Sequence, residues 1–340
     1  MGLEGRQVDG TEAEGIEEHR QGAGVGGRHG QTLPPGGRLG RPHRHLAMAP
    51  ALPLSPALEE QLRAWLAEDI GRGDLTAPAL EGRRGAAVWV ARRAGVFCGG
   101  PLAAQLFRIL DPQMQVELPV ADGSPVAIDQ TVLRLQGLAT ALVAGERTAL
   151  NLAMRLSGIA TATAALVARL EGSGVQLADT RKTTPGLRLL EKYAVRCGGG
   201  LNHRLGLDDA AMLKENHLAW AGGIEPALAA VRSGAPWPAR LIVEAETAAE
   251  AAAAVSAGAD AVLLDGFAAA ALATLVPQLR LLAWQRGAPV VLEASGIDPD
   301  ALLTYAASGI DLISTSAPVT RSPWLDLSMR FTGDDATNAG

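Results

Sequence analysis

RLIVEAETAAEAAAAVSAGADAVLLDGF, from Arg240 to Phe267, holds two short apolar runs separated by an alanine-rich stretch. A run that is apolar on both faces is how a parallel strand buried between layers reads, and the alanines between fit a helix that carries the chain back. Each run stops at acids: Glu244 and Glu246 after the first, Asp265 after the second. In a strand–helix–strand unit of this kind both sets of acids leave from the same end of the sheet.

The rhythm repeats outward. "GVQLADT", "AMLKENH", "PVVLEASG" and "IDLISTSA" bring the apolar runs to six, with "AAAALATLVPQLRLLAWQR" as a further return helix. There is no Rossmann glycine fingerprint, so the repeats favour a closed (β/α) barrel over an open doubly wound sheet.

A barrel works at the C-terminal ends of its strands. Residues at those ends are Arg181 and Lys182; Lys214, Asn216 and His217; Glu244 and Glu246; Asp265; Glu293, Ser295 and Gly296; and Ser314 and Ser316, while the first connection adds His203 and Arg204. A lone cation after a strand is ordinarily solvated, and a lone Asp often caps a helix. Convergence of all six ends is what carries the reading. One half of the rim is cationic (Arg181, Lys182, His203, Arg204, Lys214) and suits a substrate with several carboxylates. The acidic half (Glu244, Asp265) suits Mg²⁺ or sugar hydroxyls. Ser295-Gly296 and Ser314 to Ser316 suit a phosphate held by backbone N–H groups.

The remainder of the 340 residues reads as flanking structure. Residues 1–47 are rich in Gly, Arg and His, hold four of the six histidines (His19, His29, His43, His45), and are read as a disordered or spurious extension, with Met48 as initiator. Residues 48–165 read as an α/β sandwich. Ser55 and Pro56 start a helix, short strands follow through "AAVWVARRAGVFCGG" and "TVLRLQGLA", and a long helix begins near Ala141. Residues 166–321 hold the barrel, and 322–333, with the alternating "WLDLSMRF", return to the first layer. A net charge of −6 gives no general reason to expect nucleic acid. No apolar run approaches the roughly 20 uncharged residues of a membrane span. Cys98 and Cys197 form neither a disulfide framework nor a metal spacing, which fits a cytoplasmic protein.

The stretches "DTRKTTPGLRLLEKYAVRCGGGLNHRLGL" and "MLKENH" resemble the quinolinate phosphoribosyltransferase family (nicotinate-nucleotide pyrophosphorylase, carboxylating). The resemblance runs from Trp65 to Phe331 through "EDIGRGDLT", "GERTALNLAMRLSGIAT", "VEAET", "LLDGF", "LEASG" and "DLIST". It implies a type II phosphoribosyltransferase fold, with an N-terminal sandwich beside an open, incomplete (β/α) barrel, working as a homodimer. It implies that quinolinate and phosphoribosyl pyrophosphate give nicotinate mononucleotide, pyrophosphate and CO₂ with Mg²⁺. Arg147 would reach a carboxylate across the dimer, Arg181, His203 and Arg204 would hold the two carboxylates, and Lys182 and Lys214 would span substrate and pyrophosphate. Glu244 and Asp265 would bind ribose hydroxyls or metal, and with Lys182 would be catalytic. Ser295, Gly296 and Ser316 would meet the 5′-phosphate. The chain departs from the family at Gly266, where Asn is usual, and at Ile297 and Ser316, where Gly is usual. Other readings are a molybdenum-transport-associated paralogue of the same fold, or a non-catalytic anion sensor.

Overall fold

Ser55 opens the first helix, α1 (Pro56–Ile70), in the computed structural model, which describes residues 50–332 apart from Pro53. Its hydroxyl accepts the Leu58 N–H at 3.2 Å, and Leu58, Leu62 and Leu66 form the buried stripe. The extension read over 1–47 lies outside the described residues. After α1 come β1 (Arg84–Ala91), β2 (Gly95–Val96), α2 (Gly100–Leu110) and β3 (Gln115–Glu117). Then follow β4 (Pro125–Val126), β5 (Thr131–Leu138) and the long α3 (Ala139–Arg169). The repeats begin with β6 (Gln176–Ala178), α4 (Arg188–Cys197), β7 (Ala210–Leu213), α5 (Glu215–Ala221), α6 (Ile224–Gly234) and β8 (Arg240–Ala245). They continue with α7 (Ala248–Ser256), β9 (Ala261–Asp265), α8 (Ala269–Arg286), β10 (Val291–Ser295) and α9 (Leu302–Ala306). Last are β11 (Leu312–Ser314), α10 (Ala317–Arg321) and β12 (Leu327–Thr332).

Two larger sheets organise these elements, beside a two-stranded antiparallel β2–β4 pair. An antiparallel sheet runs β12–β1–β5–β3, so the chain's end returns to the first layer through the β12–β1 pairing. Helices α1, α2 and α3 cover it over a core that includes Trp89, Phe97 and Phe107, with the Trp89 and Phe107 rings edge-to-face at 6.2 Å. By length and apolar composition alone helix α3 would pass for a bilayer span, but Arg147, Arg155 and Arg169 interrupt it, so that it holds no uncharged run of about 20 residues. Here it is a core helix packed against α1, α2, α4 and α10.

The second sheet is parallel, in the order β6–β11–β10–β9–β8–β7. The closed barrel that the repeats alone favoured is therefore not formed, since β6 and β7 remain edges. The reason is local. Leu201 occupies the free side of β6: its N–H donates to Leu177 O at 2.8 Å, and its carbonyl accepts the Asp179 N–H at 3.0 Å. The place a β7 ladder would take is filled by the connection that carries the cationic motif.

Strand parity sorts side chains between two faces. Leu213, Val243, Val262, Leu264, Leu292 and Ile313 face the helices in the large core. The opposite face buries only a small cluster, Ile242, Ala261 and Leu263, flanked by Met212 and Val291. Counting in twos along this inner face reaches Lys214 and Glu244, Asp265, and then Glu293 and Ser295. That parity builds the mouth.

Candidate active site

At the mouth, the Lys214 ammonium pairs with the Glu244 carboxylate. Carboxylate oxygens of Glu244, Glu246 and Asp265 lie within 4.8 Å of one another. Three acids with one ammonium among them leave negative charge to be met by a cation or by hydroxyl donors. Ser295 stands beside Asp265 in the β9–β10 register. Gly296 follows at φ +72°, and a Cβ there would lie 3.1 Å from Asp265 Oδ1. Gly266, the departure from the family's Asn, has φ +70°. Asn is among the few side chains that tolerate this left-handed region, so Gly266 meets the same backbone demand.

Across the open seam, α4 presents Leu190, Tyr193, Ala194 and Cys197 to the core, at the spacing of one helical face. It ends at Gly198, where a Cβ would lie 2.5 Å from Ala160 O on α3. Only a glycine allows that approach, and the chain turns there into the His203-Arg204 segment. Arg181 donates to Gly206 O at 3.4 Å and Arg204 to Ala210 O at 3.2 Å. Among the described residues each guanidinium thus uses one donor of five. Burial, then the adjacent Arg181 cation, push the Arg204 pKa below its usual value, with Asp209 and Glu244 opposing them. The two arginines and Glu244 therefore share one electrostatic neighbourhood.

His203 is engaged at both ring nitrogens. Its Nδ1 accepts the Arg204 N–H at 2.9 Å, which puts the ring proton on Nε2, 3.1 Å from Glu293 Oε2. Glu293 is buried, and its Oε1 has no hydrogen-bond partner among the described residues.

The structure brings Arg181, Arg204, Lys214, Glu244, Asp265, Ser295 and Gly296 into one connected set, with His203 tied to Arg204. Three expected residues stand outside it. Lys182 is exposed beside Arg181, with no side-chain partner among the described residues. Ser316 is half-buried before α10, and its carbonyl accepts the Thr320 hydroxyl at 3.0 Å. Arg147 is exposed on α3, and among the described residues no hydrogen bond or ion pair joins it to the mouth.

Residues 74–157 match the N-terminal domain of quinolinate phosphoribosyl transferase, and residues 159–330 match its C-terminal domain. The chain belongs to the quinolinate phosphoribosyl transferase family. Within it, the probable nicotinate-nucleotide pyrophosphorylase [carboxylating] of Synechocystis is 45% identical over 276 residues, 81% of this chain and 92% of that one. The human nicotinate-nucleotide pyrophosphorylase [carboxylating] is 38% identical over 285 residues, 83% of this chain and 94% of its own. Among solved structures, NadC from Streptococcus pyogenes superposes with a TM-score of 0.77 at 34% identity, over 84% of this chain and all of its own. The nicotinate-nucleotide pyrophosphorylase of Francisella tularensis gives 0.75 at 35% identity, over 83% and 99%. Fold class and family thus agree with the resemblance carried by the Arg-Lys-Thr-Thr-Pro-Gly and Gly-Gly-Gly-Leu-Asn-His-Arg elements.

Sequence reasoning placed Glu246 and Glu293 at the strand ends but gave neither a role, although both follow the same strand parity as residues that it did choose. It also passed over Asp179, Glu191 and Lys192. A charged pair inside an amphipathic helix reads as solvent-facing, and nothing in the pattern announces that these two are buried.

Proposed function

We propose that the mouth transfers the phosphoribosyl group of phosphoribosyl pyrophosphate to quinolinate with loss of CO₂, giving nicotinate mononucleotide and pyrophosphate for de novo NAD biosynthesis. One observation supports this most. Two under-paired guanidiniums share a neighbourhood with a three-carboxylate cluster, which suits a dianionic ring on one side and a sugar that turns cationic on the other.

Arg181 and Arg204 hold the two ortho carboxylates, and Arg147 from a second copy of the chain completes the clamp in a homodimer. For His203 to join them, its Nε2–H must exchange Glu293 for the ligand. Lys182 and Lys214 lie between quinolinate and pyrophosphate. Ser295, Gly296 and Ser316 receive the 5′-phosphate. As the ring nitrogen attacks C1 of the ribose and pyrophosphate departs, C1 gains oxocarbenium character. Glu244 and Asp265 stabilise that charge or hold the ribose hydroxyls, and the lysines offset the charge on the leaving group. The alkylated ring nitrogen then accepts the electron pair left when the neighbouring carboxylate departs as CO₂, and the ring carbon takes up a proton. No protein nucleophile is required, and both thiols, Cys98 and Cys197, are buried and unbridged. Unbridged thiols accord with a cytoplasmic setting.

The oxygen-only cluster of Glu244, Glu246 and Asp265 fits a hard divalent cation. Bound there, Mg²⁺ would neutralise phosphate charge. Asp265→Asn is expected to raise the Mg²⁺ concentration needed for half-maximal rate by about tenfold. An unchanged requirement would remove Asp265 from the metal site.

The deciding assay follows nicotinate mononucleotide and CO₂ from quinolinate, phosphoribosyl pyrophosphate and Mg²⁺. Equimolar products support the reading. Quinolinate binding without turnover would leave an anion sensor instead.

A further inference from the structure

Glu191 and Lys192 are consecutive residues of α4, and their exposures are 0% and 1%. Ion pairs out of water return little net stability, because desolvation offsets the Coulomb attraction. Their use has to be sought in what they hold.

Each holds a different piece of the mouth. Glu191 accepts the Thr184 N–H through Oε2 and the Thr184 hydroxyl through Oε1, both at 2.8 Å. It is itself fixed by Arg155 of α3 at 2.7 Å, and the same Arg155 nitrogen donates to Val319 O at 2.6 Å. Lys192 donates to Asp179 Oδ1 at 2.6 Å and to His203 O at 3.0 Å. Asp179 in turn accepts the His203 N–H at 2.7 Å and the Asn202 amide at 2.8 Å, and that amide also donates to Lys192 O at 2.9 Å.

The consequence is a shared reference point. The Arg181-Lys182 segment is bracketed by Asp179, gripped by Lys192, and by Thr184, gripped by Glu191. The His203-Arg204 segment is gripped at His203 by Lys192 and by Asp179. Both halves of the cationic clamp lie on connections outside the sheet ladder, apart from the bridge at Leu201. Their mutual spacing is therefore set by these buried charges.

We infer that Glu191 and Lys192 are positioning residues that set the spacing of Arg181 and Arg204 for the two carboxylates of an ortho-dicarboxylate ring. This rests on the reading that these arginines hold quinolinate. An error in spacing would act chiefly on quinolinate, because phosphoribosyl pyrophosphate meets this pair of segments only through Lys182 and is otherwise held by Lys214, the acidic half and the 5′-phosphate residues.

The test measures KM for each substrate and quinolinate binding by calorimetry, for the full chain and for Lys192→Met, Glu191→Gln and Asn202→Ala. The expected result is a rise in the quinolinate KM of about tenfold to a hundredfold in Lys192→Met, with the KM for phosphoribosyl pyrophosphate within about threefold. Glu191→Gln and Asn202→Ala should shift in the same direction by less. Should Lys192→Met fail to fold, Asn202→Ala decides, because Asn202 is exposed as a residue and the change removes two hydrogen bonds without removing a buried charge. A fall in kcat with both KM values unchanged, or equal changes for both substrates, overturns the inference while wild-type turnover leaves the functional reading intact. A wild-type chain that neither binds nor converts quinolinate overturns that reading, and the inference with it.

Discussion

Arg204→Met is the substitution that most directly probes the clamp. Among the described residues the Arg204 guanidinium has one carbonyl partner at 3.2 Å, and its pKa is depressed by burial first and by the like charge of Arg181 second. Removing it costs the folded protein one hydrogen bond and relieves a like-charge contact, so the melting temperature should stay close to wild type. Binding should behave differently. Loss of a desolvated charge partner costs about 2–5 kcal/mol, or roughly thirtyfold to a few thousandfold in Kd. Calorimetric titration of quinolinate into wild-type and variant protein, without phosphoribosyl pyrophosphate, reads this directly. Arg181→Ala should show a loss of the same order. The double variant should lose less than the sum, because each single variant already frees the remaining arginine from repulsion. Wild-type affinity in a folded Arg204→Met protein would refute the clamp, and strictly additive losses would refute the electrostatic coupling between the arginines.

Gly296→Ala should lower kcat/KM for phosphoribosyl pyrophosphate by about tenfold, since its Cβ at 3.1 Å from Asp265 Oδ1 displaces that carboxylate and its φ of +72° disfavours a side chain; unchanged kinetics would count against Asp265. Arg147→Ala protein mixed with Lys214→Ala protein should regain activity, because one site of the hybrid dimer is intact, and no recovery after proven subunit exchange would count against the shared site. Stability should respond to acid through Asp111. The Leu138 N–H at 2.9 Å, ahead of the opposing effect of burial, holds its pKa below the usual 3.8. Its contribution is thus present above that ordinary value and lost as pH falls through the folded value. Asp111→Asn should flatten the decline in urea stability as pH falls below the ordinary value of 3.8, and an equally steep decline would exclude this carboxylate as its source.

Much of the mouth could be read from chain pattern because strands have a period of two. Once Ile242 and Leu263 are taken as inward, Glu244 and Asp265 must follow, and Lys214 and Ser295 obey the same count. The open seam could not be read this way. It arises because Leu201 pairs with β6, and a single residue supplying two backbone bonds leaves no periodic trace. Lys192 was hidden for a different reason, since its partners Asp179 and His203 O are distant in sequence and meet it only after folding. Gly266 shows the converse case: a departure from the family's usual Asn becomes intelligible once its φ of +70° is seen.

Helix α3 has 31 residues, a rod of about 46 Å at 1.5 Å per residue. The two family domains meet at residues 157 and 159, partway along this rod. Any scheme to express the halves as separate polypeptides must therefore saw through a continuous helix and strip each fragment of part of its lining. Covalent continuity here is structural as well as genetic: one uninterrupted helix contributes packing to both halves.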